Sequence, residues 1–345
     1  MQNNQQRTQV DLRSDTLTKP CSAMRKVMAA AEVGDDVFGE DPNVNRLENQ
    51  LAERAGHEAG LYCASGTQSN LVALLAHCQR GDEYIVGQNA HTYKYEGGGA
   101  AVLGSIQPQP IEHADDGTIP LEKITKAIKA DDFHFARTRL LALENTIGGK
   151  VISQDYIAQA RRLVDQNTLA LHLDGARVFN AGVALGLELE AITKQFDSVS
   201  LCMSKGLGAP VGSVLVGPKP LMDEARRWRK MVGGGMRQAG ILASAALYAL
   251  EHNVERLAED HSNAQALAKR LQGIDTLEIV GGGAHTNMVY LRCTDGKGQA
   301  LLDWCTQRGV LFTGTGPARL VVHKDISAQM IDQAADVILQ YYGAA

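Results

Sequence analysis

A single lysine follows an apolar run, in a place where an ammonium group is costly to bury. The run is SVSLCM (198–203), and Lys205 comes two residues later in a glycine-rich turn. A buried amine must be paired or used chemically to offset its desolvation. Because a lysine amine can form a Schiff base with a carbonyl compound, Lys205 is a candidate for covalent catalysis.

Two other strand ends carry groups that complement an amine. Asp174 ends the apolar run LALHLD, and Arg177 follows three residues later. The turn from Ser65 to Thr67 joins the run GLYCA to a helical pattern. Backbone N–H groups and the helix dipole attract phosphate at such a turn, although an ordinary Ser/Thr cap is its commoner role. An Asp-Gly pair is likewise often a simple turn.

Taken together, these three features are the parts that a pyridoxal phosphate site needs. The turn holds the phosphate, Asp174 keeps the pyridine nitrogen protonated, and Lys205 forms the Schiff base. Other phosphate motifs fail. The run GLGAPVG is not GxGxxG, and the GGK at 148–150 lacks the rest of a Walker A loop. Nicotinamide cofactors and nucleoside triphosphates are therefore poor candidates, and a dehydrogenase lacks its glycine fingerprint.

Composition narrows the class of protein further. The 345 residues carry a net charge of −5, which argues against a nucleic-acid binder. There is no run of eighteen apolar residues and no apolar core of a signal peptide at the start, so we expect no membrane partner. Six cysteines without a CxxC pair favour reduced thiols in the cytoplasm over disulfides or a zinc site. We expect no metal.

Apolar runs alternate with amphipathic segments over the first two thirds of the chain. This alternation predicts an α/β fold with a mostly parallel sheet covered on both faces. The predicted strands cover residues 60–65, 83–87, 139–145, 169–176, 198–203 and 212–217. After about residue 240 a long helical stretch leads to short strands at 287–293 and 318–323. We predict a large domain over residues 1–250 and a small α+β domain over 251–345, with the long helix as the joint.

Seven longer motifs are similar to those of a known family. They are VDLRSDTLTKP, VGDDVFGEDPNVNRLE, SGTQSNLVAL, LENTIGG, LHLDGAR, SLCMSKGLGAPVGSVLVG and WRKMVGGGMRQAG. In order and spacing they resemble the low-specificity L-threonine aldolases, from about Val10 to the last helix. That resemblance implies fold type I of the pyridoxal phosphate enzymes, which is the aspartate aminotransferase-like fold with a smaller C-terminal domain.

The resemblance also implies roles for individual residues. Lys205 matches the lysine that binds the cofactor covalently, and Asp174 the partner of its ring nitrogen. The other implied cofactor residues are Gly66, Thr67, His91, which stacks on the ring, and Arg177, which is shared with the substrate carboxylate. Further implied substrate and active-site residues are Ser14, Arg319, Tyr95 and His134. Tyr95 stands where some relatives carry Phe.

The family forms homotetramers with active sites at dimer interfaces, so Lys230 and Arg237 are expected to approach the site of a neighbouring subunit. The expected reaction cleaves L-threonine, L-allo-threonine and related β-hydroxy amino acids to glycine and an aldehyde. His91 is the first candidate base, with pure ring stacking nearly as well supported, and His134 is the second, with substrate positioning as its better-supported role. Two other readings stay open: another β-eliminating lyase of the same fold, and a non-catalytic scaffold.

Overall fold

The computed structural model describes residues 9–343, which form two compact units. The larger unit comprises residues 20–254, and the smaller one comprises residues 9–19 and 255–343. The strands are β1 (Val10–Asp11), β2 (Ala59–Cys63), β3 (Glu83–Gly87), β4 (Gln107–Ile111), β5 (Thr138–Glu144), β6 (Ala170–Gly175), β7 (Ser198–Cys202), β8 (Ser213–Gly217), β9 (Leu277–Ile279), β10 (Met288–Cys293), β11 (Val310–Leu311) and β12 (Ala318–Val321).

Helices separate most of these strands. They are α1 (Ser22–Ala29), α2 (Pro42–Arg54), α3 (Gly66–His77), α4 (His91–Lys94), α5 (Gly99–Gly104), α6 (Leu121–Ala127), α7 (Gln154–Gln166), α8 (Val178–Leu185), α9 (Leu189–Thr193), α10 (Lys219–Met231), α11 (Gly240–His252), α12 (Leu257–Arg270), α13 (Gly298–Gln307) and α14 (Ala328–Tyr341). None of the helices described between residues 9 and 343 is long and apolar enough to cross a membrane.

The larger unit is built on a seven-stranded sheet in the order β2-β8-β7-β6-β5-β3-β4. Pairs β7–β6, β6–β5, β5–β3 and β3–β4 are parallel, and β8 runs antiparallel to both of its neighbours. Strands β7 and β8 are buried along their whole length, as expected of strands covered on both faces. The predicted mostly parallel α/β fold is therefore confirmed.

Strand β4 is the one strand of this sheet that the sequence did not predict. Its sequence QPQPI contains two prolines, which cannot donate to a neighbouring strand. β4 lies at the edge of the sheet and pairs only with β3, where proline is tolerated. Proline therefore masked a true strand, because its position at the edge cannot be read from composition.

Helix α3 begins at the turn singled out in the sequence. The side chain of Ser65, its N-cap, accepts a hydrogen bond from the backbone N–H of Gln68. The helix buries a nearly continuous apolar surface against β7 and β8, and it also contacts β6. Asn70 and His77 are polar exceptions on it, and they are seven residues apart, so they lie on the same face.

The smaller unit has an antiparallel sheet in the order β12-β10-β9 and a parallel pair, β1 with β11. Its apolar core includes Leu267 of α12, Val289 of β10 and Ile338 of α14. The predicted strands at 287–293 and 318–323 correspond to β10 and β12.

The predicted long helix over the stretch that starts at Gly240 was wrong. The structure has two helices, α11 and α12, separated at residues 253–256. Asn253 caps the C-terminus of α11. Its side-chain amide donates to the carbonyl oxygen of Leu207 at 2.6 Å. The partition into domains 1–250 and 251–345 stays a prediction. The structure groups residues 10–19 with the smaller unit because β1 pairs with β11.

Candidate active site

Three parallel strands deliver charged side chains to the same edge of the large sheet. Glu144 ends β5, Asp174 lies near the end of β6, and Lys205 follows β7. Glu144 and Asp174 are register partners in adjacent strands. Because the carboxyl ends of parallel strands form the ligand-binding edge of open α/β sheets, this edge is the candidate active site.

Asp174 is buried, with an exposed fraction of 3%, and two donors hold its carboxylate. The backbone N–H of Ala176 donates to Oδ1 at 3.0 Å, and the side-chain amide of Asn70 donates to Oδ2 at 2.9 Å. Donors directed at both oxygens fix the orientation of the carboxyl group. Asp174 is thus suited to accept a hydrogen bond from a protonated heterocycle nitrogen.

His91 begins α4, the short helix that follows β3. Its backbone N–H donates to Glu144 Oε2 at 2.8 Å, and its ring Nδ1 lies 2.8 Å from Glu96 Oε1. The hydrogen bond to Glu96 raises the pKa of the His91 imidazole above its ordinary value of 6.5, against the opposing effect of burial. Asn70 donates to Glu96 Oε1 as well, so one amide links Glu96 to Asp174.

Glu144 is a partly buried carboxyl among charged neighbours. Burial, and next the charge of Asp174, raise the pKa of Glu144 to about 7. The positive charges of Lys205 and Arg177 act in the opposite direction. These interactions place both cations near Glu144, and the predicted pairing of Arg177 with Asp174 stays a prediction.

Lys205 is partly buried, which differs from the fully buried lysine that its apolar flank suggested. It lies in the turn after β7, and its carbonyl oxygen accepts a hydrogen bond from Gly208 N–H at 2.9 Å. Its ammonium is close enough to His91 to oppose the rise in that histidine's pKa. Lys205, Asp174 and His91 therefore converge on one site.

The turn at the start of α3 is a candidate anion site. It follows β2 of the seven-stranded sheet. Gly66 and Thr67 are the first residues of the helix, so their N–H groups have no carbonyl partner in a preceding turn. A Cβ on Gly66 would come within 3.5 Å of Ser213 Oγ. That hydroxyl is buried without a hydrogen-bond partner among the described residues. A phosphate group bound at this turn fits both sets of donors.

His91, Glu96 and Asp174 could also be ligands of a metal ion. Ligand atoms of His91, Glu96 and Asp174 lie within 4.8 Å of one another. Hydrogen bonds already use His91 Nδ1, Glu96 Oε1 and Asp174 Oδ2. The carboxylate of Asp174 also suits a protonated ring nitrogen, and the expectation that this site needs no metal stays a prediction.

His134 lies on an exposed loop and contacts its sequence neighbours Asp132 and Phe133. Its Nδ1 lies 2.6 Å from Asp132 Oδ1, and its ring lies against Phe133, with the ring centroids 3.9 Å apart. Tyr95 is closer to the site, because its ring centroid lies 5.8 Å from that of His91. Their roles as active-site and substrate-binding residues stay predictions.

The remaining predicted site residues are Lys230, Arg237, Ser14 and Arg319. Lys230 and Arg237 are exposed, and Arg237 pairs with Asp35 at 3.3 Å. In the smaller unit, the hydroxyl of Ser14 accepts a hydrogen bond from Thr16 N–H, and Arg319 Nη2 donates to a backbone carbonyl oxygen. Their proposed contacts with the cofactor or substrate are untested.

The sequence did not predict three residues of the cluster, Asn70, Glu96 and Glu144. It also did not predict His172, whose Nε2 lies 3.2 Å from Asn70 Oδ1. Glu144 gave the same signal as Asp174, a carboxylate at the end of an apolar strand. Asn70 and His172 gave a weaker one, since each is a polar residue inside an otherwise apolar element. No local pattern marks Glu96, which reaches the site through the fold alone.

Comparison with known proteins agrees with this geometry. The sequence model of a family described as beta-eliminating lyase matches residues 11–294. A low specificity L-threonine aldolase of Escherichia coli is 53% identical, with 94% of this chain and 97% of that protein covered. Low-specificity L-threonine aldolase 1 of Arabidopsis thaliana is 42% identical, with 92% of each chain covered.

Solved structures have the same fold. A threonine aldolase of Leishmania major superposes with a TM-score of 0.81, covering 96% of this chain and 99% of that one, at 19% identity. The sequence match, and not this structural likeness, carries the assignment. The chain therefore belongs to the beta-eliminating lyase family and, within it, groups with the low-specificity L-threonine aldolases.

Proposed function

We propose that this protein cleaves L-threonine and L-allo-threonine to glycine and acetaldehyde with pyridoxal 5'-phosphate as cofactor. One observation carries the proposal: an amine, an oriented carboxylate and a helix N-terminus are presented by a single sheet, at Lys205, Asp174 and Gly66. The names of the similar sequences from Escherichia coli and Arabidopsis agree with it.

Each part of the cofactor has a matching group in this chain. Lys205 would bind it covalently through its Nζ, Asp174 would accept from the ring nitrogen, and the N–H groups of Gly66 and Thr67 would hold the phosphate. His91 would cover one face of the ring. When bound, the cofactor supplies an electron-poor ring that takes up the electron pair of the broken Cα–Cβ bond.

His91 is the group best placed to take the proton of the substrate's β-hydroxyl. Asn70 donates to Glu96, so that carboxylate oxygen acts as an acceptor and His91 Nδ1 supplies the proton to it. Nε2 then carries the lone pair and can accept the hydroxyl proton. The β-carbon becomes the aldehyde carbonyl as the Cα–Cβ bond breaks, and a proton delivered to Cα takes the place of that bond. Return of the Lys205 amine to the cofactor would then release glycine.

Orientation of the substrate decides which bond breaks. We propose that Arg177, Arg319 and Ser14 hold the carboxylate, and that Tyr95 and His134 border the side chain. A carboxylate held by two guanidinium groups fixes the rotation about the bond between Cα and nitrogen, so the Cα–Cβ bond can lie perpendicular to the ring. This would select cleavage over transamination.

Assembly as a homotetramer is part of the proposal, with Lys230 and Arg237 reaching toward the site of a neighbouring subunit. Large apolar side chains that face solvent in the single chain support such contacts, since Met231 is 72% exposed and Phe38 is 75% exposed. Size-exclusion chromatography with light scattering would measure the mass of the assembly and test whether it is a tetramer. A monomer with full activity would contradict this part.

A location in the cytoplasm is supported by the cysteines. The six cysteines form no disulfide among the described residues, and Cys63, Cys78, Cys202 and Cys305 are buried. Thiols of this kind persist in a reducing compartment.

The product assay tests the function. The purified protein is loaded with pyridoxal 5'-phosphate and given L-threonine, and glycine, acetaldehyde, ammonia and 2-oxo acids are measured together. Equal amounts of glycine and acetaldehyde are expected. Ammonia with a 2-oxo acid would instead assign the chain to β-elimination, which the family as a whole is named for.

A further inference from the structure

A line of hydrogen-bonded side chains leads away from Asp174 into the interior of the larger unit. Asn70 Nδ2 donates to Asp174 at 2.9 Å, and His172 Nε2 lies 3.2 Å from Asn70 Oδ1. His172 Nδ1 and His77 Nε2 each lie 2.8 Å from Ser198 Oγ. The four residues His77, Ser198, His172 and Asn70 are called the donor chain here.

The fold explains how these side chains meet. Asn70 and His77 lie on one face of α3, while His172 and Asp174 are two residues apart on one face of β6. Ser198 is the register partner of His172 on β7. Helix and strands thus bring together four polar side chains, of which Asn70, His172 and Ser198 are buried.

The direction of each hydrogen bond follows from chemistry. The carboxylates of Glu96 and Asp174 accept, so both N–H groups of the Asn70 amide are donated to them. The amide oxygen of Asn70 can only accept. His172 must therefore donate to it from Nε2, which leaves the lone pair on Nδ1 when the ring is neutral.

The neutral form of both rings completes the assignment. Burial lowers the pKa of His172 to about 3 and that of His77 to about 4, so neither carries a charge at neutral pH. The hydroxyl of Ser198 then donates to His172 Nδ1, and His77 donates from Nε2 to the Ser198 oxygen. The hydrogen bonds from His77 to Asn70 thus run in one direction, and the Asn70 amide continues that direction to Asp174 with one N–H and donates the other to Glu96.

We propose that the donor chain is a positioning device, in which His77, Ser198, His172 and Asn70 hold Asp174 as an oriented anionic acceptor for the ring nitrogen of the cofactor. The inference rests on the proposed function, because it assigns a purpose to Asp174 in that site. All four would act on the cofactor through Asp174, so they are positioning residues.

Two physical effects act through such a chain. Hydrogen bonds aligned in one direction polarise one another, so the donor strength of the Asn70 amide increases with each link behind it. Burial also makes the arrangement stiff, since His172 and Ser198 are fully inaccessible and Asn70 is 1% exposed. Breaking a distant link should weaken Asp174 as an acceptor without altering the shape of the site.

The alternative is a chain that only satisfies a buried histidine. The two readings differ in what they say about the ring nitrogen. If the chain serves Asp174, cutting it weakens binding of a cofactor that has the nitrogen and spares one that lacks it. If the chain is merely structural, both cofactors are affected alike.

Ser198→Ala cuts the chain two links away from Asp174 by removing one oxygen atom. Dissociation constants are measured for pyridoxal 5'-phosphate and for its 1-deaza analogue, in which a C–H replaces the ring nitrogen. We expect a loss of about five- to tenfold for pyridoxal phosphate and less than twofold for the analogue, because the hydrogen bond to Asp174 is weakened and not removed. Equal losses for both ligands, or none for either, would overturn the inference.

Two further variants serve as controls for Ser198→Ala. Ser244→Ala removes another buried hydroxyl of the larger unit, which donates to Ile241 O at 2.9 Å, and it should leave both constants unchanged. Ser198→Thr keeps the hydroxyl and should restore the preference for pyridoxal phosphate. Failure of the wild-type protein to bind pyridoxal phosphate would overturn the proposed function itself, a result distinct from equal losses.

The direction of the hydrogen bonds in the donor chain can be measured separately, from the positions of their protons. Neutron diffraction of the deuterium-exchanged holoenzyme should show deuterium on Nε2 of His172 and of His77, and none on Nδ1 of His172. Deuterium on His172 Nδ1 with a bare Nε2 would reverse the chain and contradict the assignment.

Discussion

Glu144 and Asp174 face each other across adjacent parallel strands, one at the end of β5 and the other near the end of β6. Their environments differ. Asp174 is held by two hydrogen-bond donors, whereas Glu144 accepts one from the backbone of His91 and has its pKa raised to about 7, first by burial and then by the charge of Asp174. The site therefore contains one fixed carboxylate and one that titrates near neutral pH.

The raised pKa of Glu144 predicts a pH-dependent cost to stability. Ionisation is harder in the folded state than at the ordinary value of 4.5, so wild-type stability falls as pH rises from about 4.5 and the full cost is present above about 7. Glu144→Gln keeps an acceptor for His91 N–H and removes this cost. We expect the cofactor-free variant to gain on the order of 1 kcal/mol relative to wild type between pH 5 and pH 8, after allowance for partial exposure. Calorimetric unfolding at several pH values measures it, and parallel pH profiles would contradict it.

The ion pair between Glu96 and His91 predicts a shift in the pH profile. The hydrogen bond to Glu96 is the largest cause of the raised His91 pKa, so Glu96→Gln should lower that pKa. If His91 is the base, the acidic limb of kcat/KM moves to lower pH in the variant. Glu251→Gln is the matched control, because Glu251 lies 4.0 Å from the exposed His252. An unmoved acidic limb would remove His91 from the role of base.

Asp174→Asn should remove the charge that faces the ring nitrogen and keep the size of the side chain. We expect kcat to fall on the order of 10³-fold, as for loss of one oriented charge-stabilising group. Binding of the 1-deaza analogue should change little. Asp223→Asn is the control, since Asp223 is exposed and pairs with Lys219. A variant with near-normal kcat would show that Asp174 does not act on the cofactor.

The unpartnered hydroxyl of Ser213 predicts an unusual separation of stability from binding. Ser213→Ala removes a buried polar atom that makes no hydrogen bond among the described residues, so the cofactor-free protein should be as stable as wild type or slightly more so. Affinity for pyridoxal phosphate should fall about tenfold if the hydroxyl binds the phosphate. Thermal unfolding and a cofactor titration give the two numbers. A large loss of stability with unchanged affinity would assign Ser213 to the fold.

Much of the fold could be predicted because its strands are apolar along their whole length and are separated by helices. The edge strand β4 could not, since its prolines are allowed only by a position that the sequence does not reveal. The break between α11 and α12 was also missed. Asn253 at this break donates to Leu207, which lies 46 residues away, so no local pattern reveals the contact.

The site divides in the same way. Asp174, Lys205 and the turn at Gly66 were predictable because each follows an apolar run, and strand ends of one sheet meet at one edge. Glu96 and the donor chain were not, because their partners are distant along the chain: His172 meets Asn70 across 102 residues. Motif similarity proposed His134, Arg319 and Ser14, whose roles depend on a bound substrate.

The most direct test of the central claim locates the covalent bond between cofactor and protein. The holoenzyme is reduced with borohydride and digested, and the peptide that carries the pyridoxyl mass is sequenced by mass spectrometry. The account predicts modification at Lys205 alone, with Lys205→Ala unmodified and its turnover reduced by a factor on the order of 10⁴ or more, and with Lys219→Ala behaving as wild type. Modification of another lysine, such as Lys230, or near-normal turnover of Lys205→Ala would contradict it.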